Sequence, residues 1–562
     1  MTFPPFRLFA FVCLTGTVLA AEKDPFQELV RPTGPLTPEQ ERAAFHLPPG
    51  FEIQLVASEP DLRKPMNLQW DALGRLWITE SREYPYAIKD GSPGRDTVRI
   101  FSDFGPDGKA RKVEVFADGL NIPTGLYPFR SPDASGKLTW KCVVWSIPNI
   151  WLMEDSDGDG KADKREPLYG PLGWERDTHG NLSSFRRGQD GWLYGTHGFN
   201  NESTLRGRDG SQLHLQSGNT WRVRLDGSRV EGHTWGQVNP FGLCWDDRGN
   251  LFSADCHSSP IYQLLRGAYY PSFGKPHDGL GFAPQTVLHS HGSTAICAPI
   301  YVSDPAWPAE LQDHMFIGNV QTSRINHDAI AWHGSSSKGK ELPDFLSTDD
   351  PWFRPVDLSW GPDGALYIAD FYNKIIGHYE VPLTHPGRDR DRGRLWRIVY
   401  RGTPPGTALP ADLSGLVREL GSGNPTRRTL ALNEICDCFG TQAIVALKEA
   451  LAAPANGLQK ANALWALSRL GGLEPATLTA ALTDADALVR VHALRLAREW
   501  CVAKSAPDRA AQLDALATAA RAALKDPDAL VARCAAEVLG ARPSAENFRP
   551  LLELLRRAAK DD

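Results

Sequence analysis

The densest chemistry in the chain is packed into Asp155-Ser156-Asp157-Gly158-Asp159-Gly160-Lys161-Ala162-Asp163-Lys164-Arg165-Glu166. Aspartates at loop positions one, three and five, glycine at six and glutamate at twelve follow the spacing that wraps hard oxygen donors around calcium. Asp155, Asp157, Asp159 and Glu166 would supply carboxylates and Lys161 a backbone carbonyl, with Asp163 inside the same ligand set. Gly160 permits the sharp turn. No helical periodicity precedes the loop, and Ile150-Trp151-Leu152-Met153 reads as a strand. The expectation is therefore a calcium loop between strands rather than a calcium sensor. The competing reading is a solvated acidic turn.

A second group is scattered along the sequence but falls at equivalent places. Asn67, Asn121, His179, Asn181, Asn239, Arg354 and Asp357 stand at or near the starts of strand-like segments. Glu80, Arg82, His197, Asp255, His257 and Asp370 stand at the ends of the segments that follow. If both sets reach one face they line a single mouth, suited to a polyhydroxylated small molecule or to a general base working near neutral pH. Arg354 is placed to offset developing charge, and Asp255 to complete the catalytic group. Asn239, His257, Asp357 and Asp370 are assigned to holding a cofactor. Taken singly, each is equally well explained as a strand-terminating hydrogen bond. His179, His197 and His257 offer a further alternative, a transition-metal site, although they lack tight ligand spacing.

The elements that must position these groups are announced by a recurring module: a glycine, a leucine two residues on and an aromatic three on. It occurs at Gly74-Leu76-Trp77, Gly191-Leu193-Tyr194, Gly249-Leu251-Phe252 and Gly364-Leu366-Tyr367, each with an aspartate just before the glycine. The steps are about 58 residues or twice that, and weaker copies at Ser135-Gly136-Lys137-Leu138 and Leu311–Phe316 fill the gaps. Six hairpin-bearing units predict a six-bladed β-propeller over residues 46–402. Its ring would close by pairing Phe51–Val56 with Leu395–Tyr400, which removes an open sheet edge. Beyond Gly402-Thr403-Pro404-Pro405-Gly406 the composition turns rich in alanine, leucine and arginine. Similar helical segments start near residues 426, 458, 488 and 530, with Asp484-Ala485-Asp486 and Asp526-Pro527-Asp528 marking helix starts. Residues 403–562 are thus expected to be a HEAT-like α-solenoid acting as a scaffold. His492, on one of its helices, reads as a surface or satisfied core group.

The N-terminus reads as a secretory signal over residues 1–20, with an apolar run from Leu8 to Val18 and small residues before Ala21. Residues 21–45 form a polar leader arm. The expected location is the periplasm or the extracellular space, and no other stretch reads as membrane-spanning. A net charge of −6 gives no support for nucleic acid as partner. The eight cysteines outside the signal follow no framework spacing and read as mostly buried free thiols. No Cys-x-x-Cys-His occurs, so no haem is expected on this chain.

Asp177-Thr178-His179-Gly180-Asn181-Leu182, followed by Asp190-Gly191-Trp192-Leu193-Tyr194-Gly195, resembles the glucose/sorbosone dehydrogenase propellers, and so does Val238-Asn239-Pro240-Phe241-Gly242-Leu243. That resemblance implies pyrroloquinoline quinone (PQQ) as cofactor and His179 as the base taking a sugar hydroxyl proton. Val238 stands where that family has an active-site arginine. Phe353-Arg354-Pro355-Val356-Asp357-Leu358, Gly361–Asp370 and Gly393-Arg394-Leu395-Trp396-Arg397-Ile398 are similar to the membrane-bound dehydrogenase family of planctomycete and verrucomicrobial bacteria. In many relatives HEAT repeats follow the propeller, and a haem c domain often follows those. The implied activity is oxidation of a sugar or alcohol, with a separate cytochrome c or other protein docking on the helical region. The alternative is a non-catalytic carbohydrate- or protein-binding propeller.

Overall fold

In the computed structural model the chain is described for residues 26–257, 260–272, 285–293, 295–375, 381–401, 408–503, 510–558 and 562. Residues 1–25, which include the expected signal and the beginning of the arm, lie outside them.

Why the module recurs is visible in its hydrogen bonds. The Asp71 carboxylate accepts from the N–H groups of Leu73 (2.9 Å) and Arg75 (3.0 Å) and from the Trp77 indole (2.7 Å). Asp190 and Asp363 bind the hydroxyls of Tyr194 and Tyr367 in the same way, at 2.8 and 2.9 Å. Each aspartate therefore caps its turn and fastens the polar tip of the strand that leaves it. Gly74, Gly191, Gly249 and Gly364 sit at φ between 73° and 78°, where a side chain is strained.

These turns join the innermost and second strands of six antiparallel sheets arranged as a propeller. The innermost strands are Pro65–Trp70, Gly125–Pro132, Ser183–Arg187, Asn239–Trp245, Ile296–Tyr301 and Pro355–Trp360, and each neighbours the next around a closed ring. Closure runs as expected: Phe51–Ser58 becomes the outer strand of the last blade, pairing Phe51 with Tyr400 and Ile53 with Ile398. Buried apolar clusters fill the spaces between blades, one uniting Phe51, Phe316, Phe353 and Trp396. The arm is not a loose leader over its described part. Helix Pro38–Ala44 opens with a capping box at Thr37, Glu41 pairs with Arg394 where both are fully buried, and Phe45–His46 adds a fifth strand to the fifth blade.

From Leu413 to Arg557 every described element is a helix, the helices being joined by short turns. Asn424, Asn456, Asp486 and Asp528 each cap a helix N-terminus with a side-chain oxygen, which explains the recurring starts. Gly457–Arg469, Ala487–Val502 and Ala529–Ala541 stack side by side around one apolar core. The stretch Pro425–Ala452 is apolar and long enough to cross a membrane, contrary to expectation. Gly440, at φ 56°, interrupts it, and Leu432, Ile435 and Leu447 pack into the helical core.

This region docks on the module turns. Arg248 meets Asp528 at 2.6 Å, Asp247 pairs with Arg428, and the fully buried Arg222 joins Asp190, Glu231 and Glu499 at 2.7–2.8 Å. His492 is sealed into the junction, accepting from the Trp465 indole (3.1 Å) and donating to the Asp247 carbonyl (2.9 Å). Burial pushes its pKa down from 6.5 to about 4. A histidine held neutral by the fold contributes stability that is complete above its unfolded pKa and lost as pH falls from there through about 4. The loss amounts to at most about 3 kcal/mol. Melting temperature should thus fall on acidification through that window. His492→Gln should fall less steeply, and an unchanged slope would place the acid sensitivity elsewhere.

Candidate functional site

At the opposite end of the blades from the module turns lies an axial cavity of about 400 Å³, within the range of small-molecule sites. Every blade contributes. Met66 comes from the first, Thr124 from the second, Asn239 from the fourth, Cys297 from the fifth and Arg354 from the sixth, with His179 on the segment entering the third. Phe241, Val356, Phe371 and Ile375 supply an apolar lining, and the arm lays Glu28, Leu29 and Arg31 across the wall. Among the described residues the lining is cationic: Arg31, Arg354 and Arg388 stand against one carboxylate, Glu28.

Arg354 is the most informative of these. It is only 3% exposed, yet its Nε and Nη2 make no hydrogen bond, and Nε of Arg31 is likewise buried without a partner. Nη1 is satisfied by Ser323 Oγ at 2.6 Å and the Phe353 carbonyl at 2.7 Å. Burial, reinforced by Arg31, pushes the guanidinium down to about 9. Unpaired buried cationic donors are costly, and an anion in the cavity would relieve that cost.

His179 is fixed at its backbone by Asp177 Oδ1 (2.9 Å) and at its ring by Tyr84, whose hydroxyl lies 3.1 Å from Nδ1. When Nδ1–H donates to Tyr84, the lone pair lies on Nε2, the form that takes a proton. A Cβ on Gly180 would fall 2.0 Å from the Phe199 carbonyl, and one on Gly198 would fall 2.1 Å from Asn239 Oδ1. Glycine at both positions lets the His179 segment press against Asn239. His257, at φ 76°, completes the polar wall beside Asn239.

The structure brings His179, Asn239, His257 and Arg354 to one cavity. It does not bring Asp255, Asp357 or Asp370 to the wall. Asp255 accepts from the N–H groups of Val238 (3.0 Å) and Asn239 (2.7 Å), and Asp370 from those of Arg354 (2.8 Å) and Tyr372 (2.9 Å). Both carboxylates are fully buried strand-crossing clamps, one step behind the surface they shape. Asp357 accepts from Leu68 N–H at 2.8 Å and pairs at 2.9 Å with Arg186, joining the first, third and sixth blades. His197 is buried between the Ser217 carbonyl (2.9 Å) and Ser203 Oγ (3.1 Å), and burial pushes it down to about 4. It stands away from His179 and His257, so the structure does not gather the three histidines as a metal set.

In the acidic loop Asp155, Asp157 and Asp159 converge, one oxygen of each within 4.8 Å of the others. Strands Asn149–Asp155 and Lys164–Tyr169 flank it, as expected. Two of the assigned ligands do not join. Asp163 is occupied by the N–H and hydroxyl of Ser156 (2.7 and 2.6 Å), and Glu166 pairs across the sheet with Leu152. With strands in place of helices, the second flank turns away before position twelve can fold back. Lys161 N–H donates to Asp159 Oδ1 at 2.8 Å, holding the tight turn. The eight described cysteines are free thiols.

Sequence reasoning missed Tyr84, Arg31 and Phe371. Tyr84 lies between strands, and Arg31 reaches the cavity from an arm about which spacing says nothing.

Fold and site together define a six-bladed β-propeller with an axial, cation-lined cavity, seated on an all-helical region. The chain belongs to the family described as a domain of unknown function, DUF7133, which matches residues 37–402. Among solved structures it is similar to the PQQ domain of pyranose dehydrogenase from Coprinopsis cinerea in its holo form. The identity is 14% over 63% of this chain and 96% of that one, with a TM-score of 0.40. It is also similar to the PQQ-bound aldose sugar dehydrogenase of Streptomyces coelicolor (14% identity, 63% and 100% covered, TM-score 0.39). The soluble aldose sugar dehydrogenase of Escherichia coli in its apo form is a third (15% identity, 62% and 100% covered, TM-score 0.33). No curated protein matches the chain.

Proposed function

We propose that the axial cavity binds a carboxylate-bearing quinone of the PQQ class and that the exported protein uses it to oxidise a sugar or alcohol. The observation carrying this reading is Arg354, a buried guanidinium with two unpartnered nitrogens on the wall of a cavity whose described lining is short of carboxylates. Its donor set fits a polyanionic planar ligand: Arg354 and Arg31 for carboxylates, Asn239 for a carbonyl, and the apolar lining for the ring faces. Arg354 also provides the cation that Val238, buried behind the wall, does not. Such a quinone supplies the hydride acceptor that no side chain provides. His179, oriented by Tyr84, takes the substrate hydroxyl proton, and Phe241 and Phe371 exclude water around it. The test is dye-linked oxidation by the full chain supplied with PQQ and calcium, across a panel of aldoses and alcohols. Quinone uptake without dye reduction on any substrate would favour the rival reading, a propeller that binds carbohydrate without oxidising it.

The loop at Asp155 is proposed as a structural calcium site, apart from the cavity, resting on the convergence of three aspartates. Asp157→Ala should lower the melting temperature when calcium is present and leave it unchanged in EDTA. Equal melting of the two forms in calcium would reduce the loop to a solvated turn. The helical region is proposed as scaffold and docking surface for an electron-accepting protein such as a cytochrome c.

A further inference from the structure

The crossover from the fourth blade to the fifth carries His289-Ser290-His291. It lies over the outer hairpin of the fifth blade, strands Arg324–His333 and Ser336–Thr348, in which Asp328 and Glu341 are directly opposed. Like charges in that register repel, and the Asp328 side chain is fully buried, so this pairing calls for positive charge. The two histidines supply the approach. His291 Nε2 lies 2.8 Å from Asp328 Oδ2, while its other nitrogen, Nδ1, lies 3.4 Å from Glu341 Oε1. His289 Nε2 lies 2.8 Å from Asp328 Oδ1, but neither atom makes a hydrogen bond. One donor atom each from His289, His291 and Glu341 falls within 4.8 Å of the other two.

We infer that His289, His291 and Glu341 bind a divalent transition-metal ion of the zinc class, with Asp328 orienting the imidazoles. Two imidazoles and one carboxylate form a donor set suited to such an ion rather than to calcium. A buried carboxylate on the far nitrogen of a ligating histidine fixes both tautomer and ring direction, as His291 shows. Glu341 is half exposed and borders a groove shared with His291, Arg324 and Asn326, which leaves a coordination position on the solvent side. The ion would pin the crossover to the outer hairpin. The same crossover leads into Ile296 and Cys297 of the cavity wall, so the metal would brace that wall from outside. The inference does not depend on quinone binding.

The probe is Co²⁺, titrated into the chelator-treated full chain. One equivalent should bind with the visible d–d absorption of a nitrogen–oxygen site of low coordination number, and Zn²⁺ should displace it and raise the melting temperature. Glu341→Gln, at the surface and compatible with folding, should abolish that spectrum, as should His289→Ala. Asp328→Asn should weaken binding about 10–100-fold. Asp157→Ala, in the acidic loop, should leave this nitrogen–oxygen Co²⁺ spectrum unchanged. Absence of binding, a spectrum unchanged in Glu341→Gln, or thiolate charge-transfer bands from a cysteine site would each overturn the assignment.

Discussion

Replacing His179 by alanine is expected to lower sugar- or alcohol-dependent dye reduction by about 10²-fold or more, with folding and quinone uptake intact. His179 lines the cavity, its backbone is held by Asp177, and its ring touches Tyr84 across 3.1 Å rather than supporting a core. Losing it removes the proposed proton acceptor while the cationic groups proposed to hold the cofactor remain. The effect belongs in kcat at saturating substrate. A variant with altered substrate affinity and unchanged kcat would identify His179 as a binding group and favour the carbohydrate-binding reading.

Asp437→Ala is expected to destabilise the chain by about 3–5 kcal/mol, the cost of leaving a buried charge without its partner. Asp437 lies in the turn Ile435–Phe439 of the helical region and faces Arg187 on the innermost strand of the third blade. Arg187 Nη2 meets Asp437 Oδ1 at 2.9 Å, and a second contact joins Nη1 to the other oxygen. Burial works against the Arg187 charge, but Asp437 and Tyr127 outweigh it and hold the guanidinium above its usual range. Arg469 leans on the same carboxylate at 3.4 Å, so one substitution leaves two cations uncompensated. Denaturant midpoints would report the loss. Replacing Arg187 and Asp437 together by leucine should recover part of it, since only Arg469, which also donates to Asn433 at 2.8 Å, then lacks its carboxylate. An Asp437→Ala chain as stable as the parent would mean that the helical region is not fastened through this pair.

The ring was legible because its signal is local. In four copies a capping aspartate, a glycine in left-handed backbone and a returning aromatic all lie within seven residues, and their spacing, with two weaker copies in the gaps, counts six blades. The closing strand was legible from its alternation, and Asp486 and Asp528 from their place before helices. The site was legible only in part. His179, Asn239, His257 and Arg354 do reach the cavity, whereas Asp255 and Asp370, at equally suggestive strand ends, turn back to hold the N–H groups of the strand beside them. Nothing in a strand end says whether its carboxylate meets backbone or solvent. Asp357 meets Arg186 from the third blade, 171 residues away, and Arg31 meets the cavity from an arm more than 300 residues before Arg354. The module itself marks the surface that receives the helical region, at the other end of the blades from the cavity. His289-Ser290-His291 did carry a local signal, a two-residue histidine spacing, but its carboxylate partners come from strands about 40–50 residues later, beyond the reach of any spacing rule.

The central claim is that the buried, half-satisfied Arg354 awaits an anionic quinone. Equilibrium titration of the full chain with PQQ, followed by the cofactor's absorption and compared with Arg354→Gln, tests it most directly. The account predicts saturable uptake of one equivalent by the parent chain and a loss of at least about tenfold in affinity for Arg354→Gln, in line with a charge-assisted bond to a carboxylate. No uptake by the parent chain, or equal uptake by both, would contradict it.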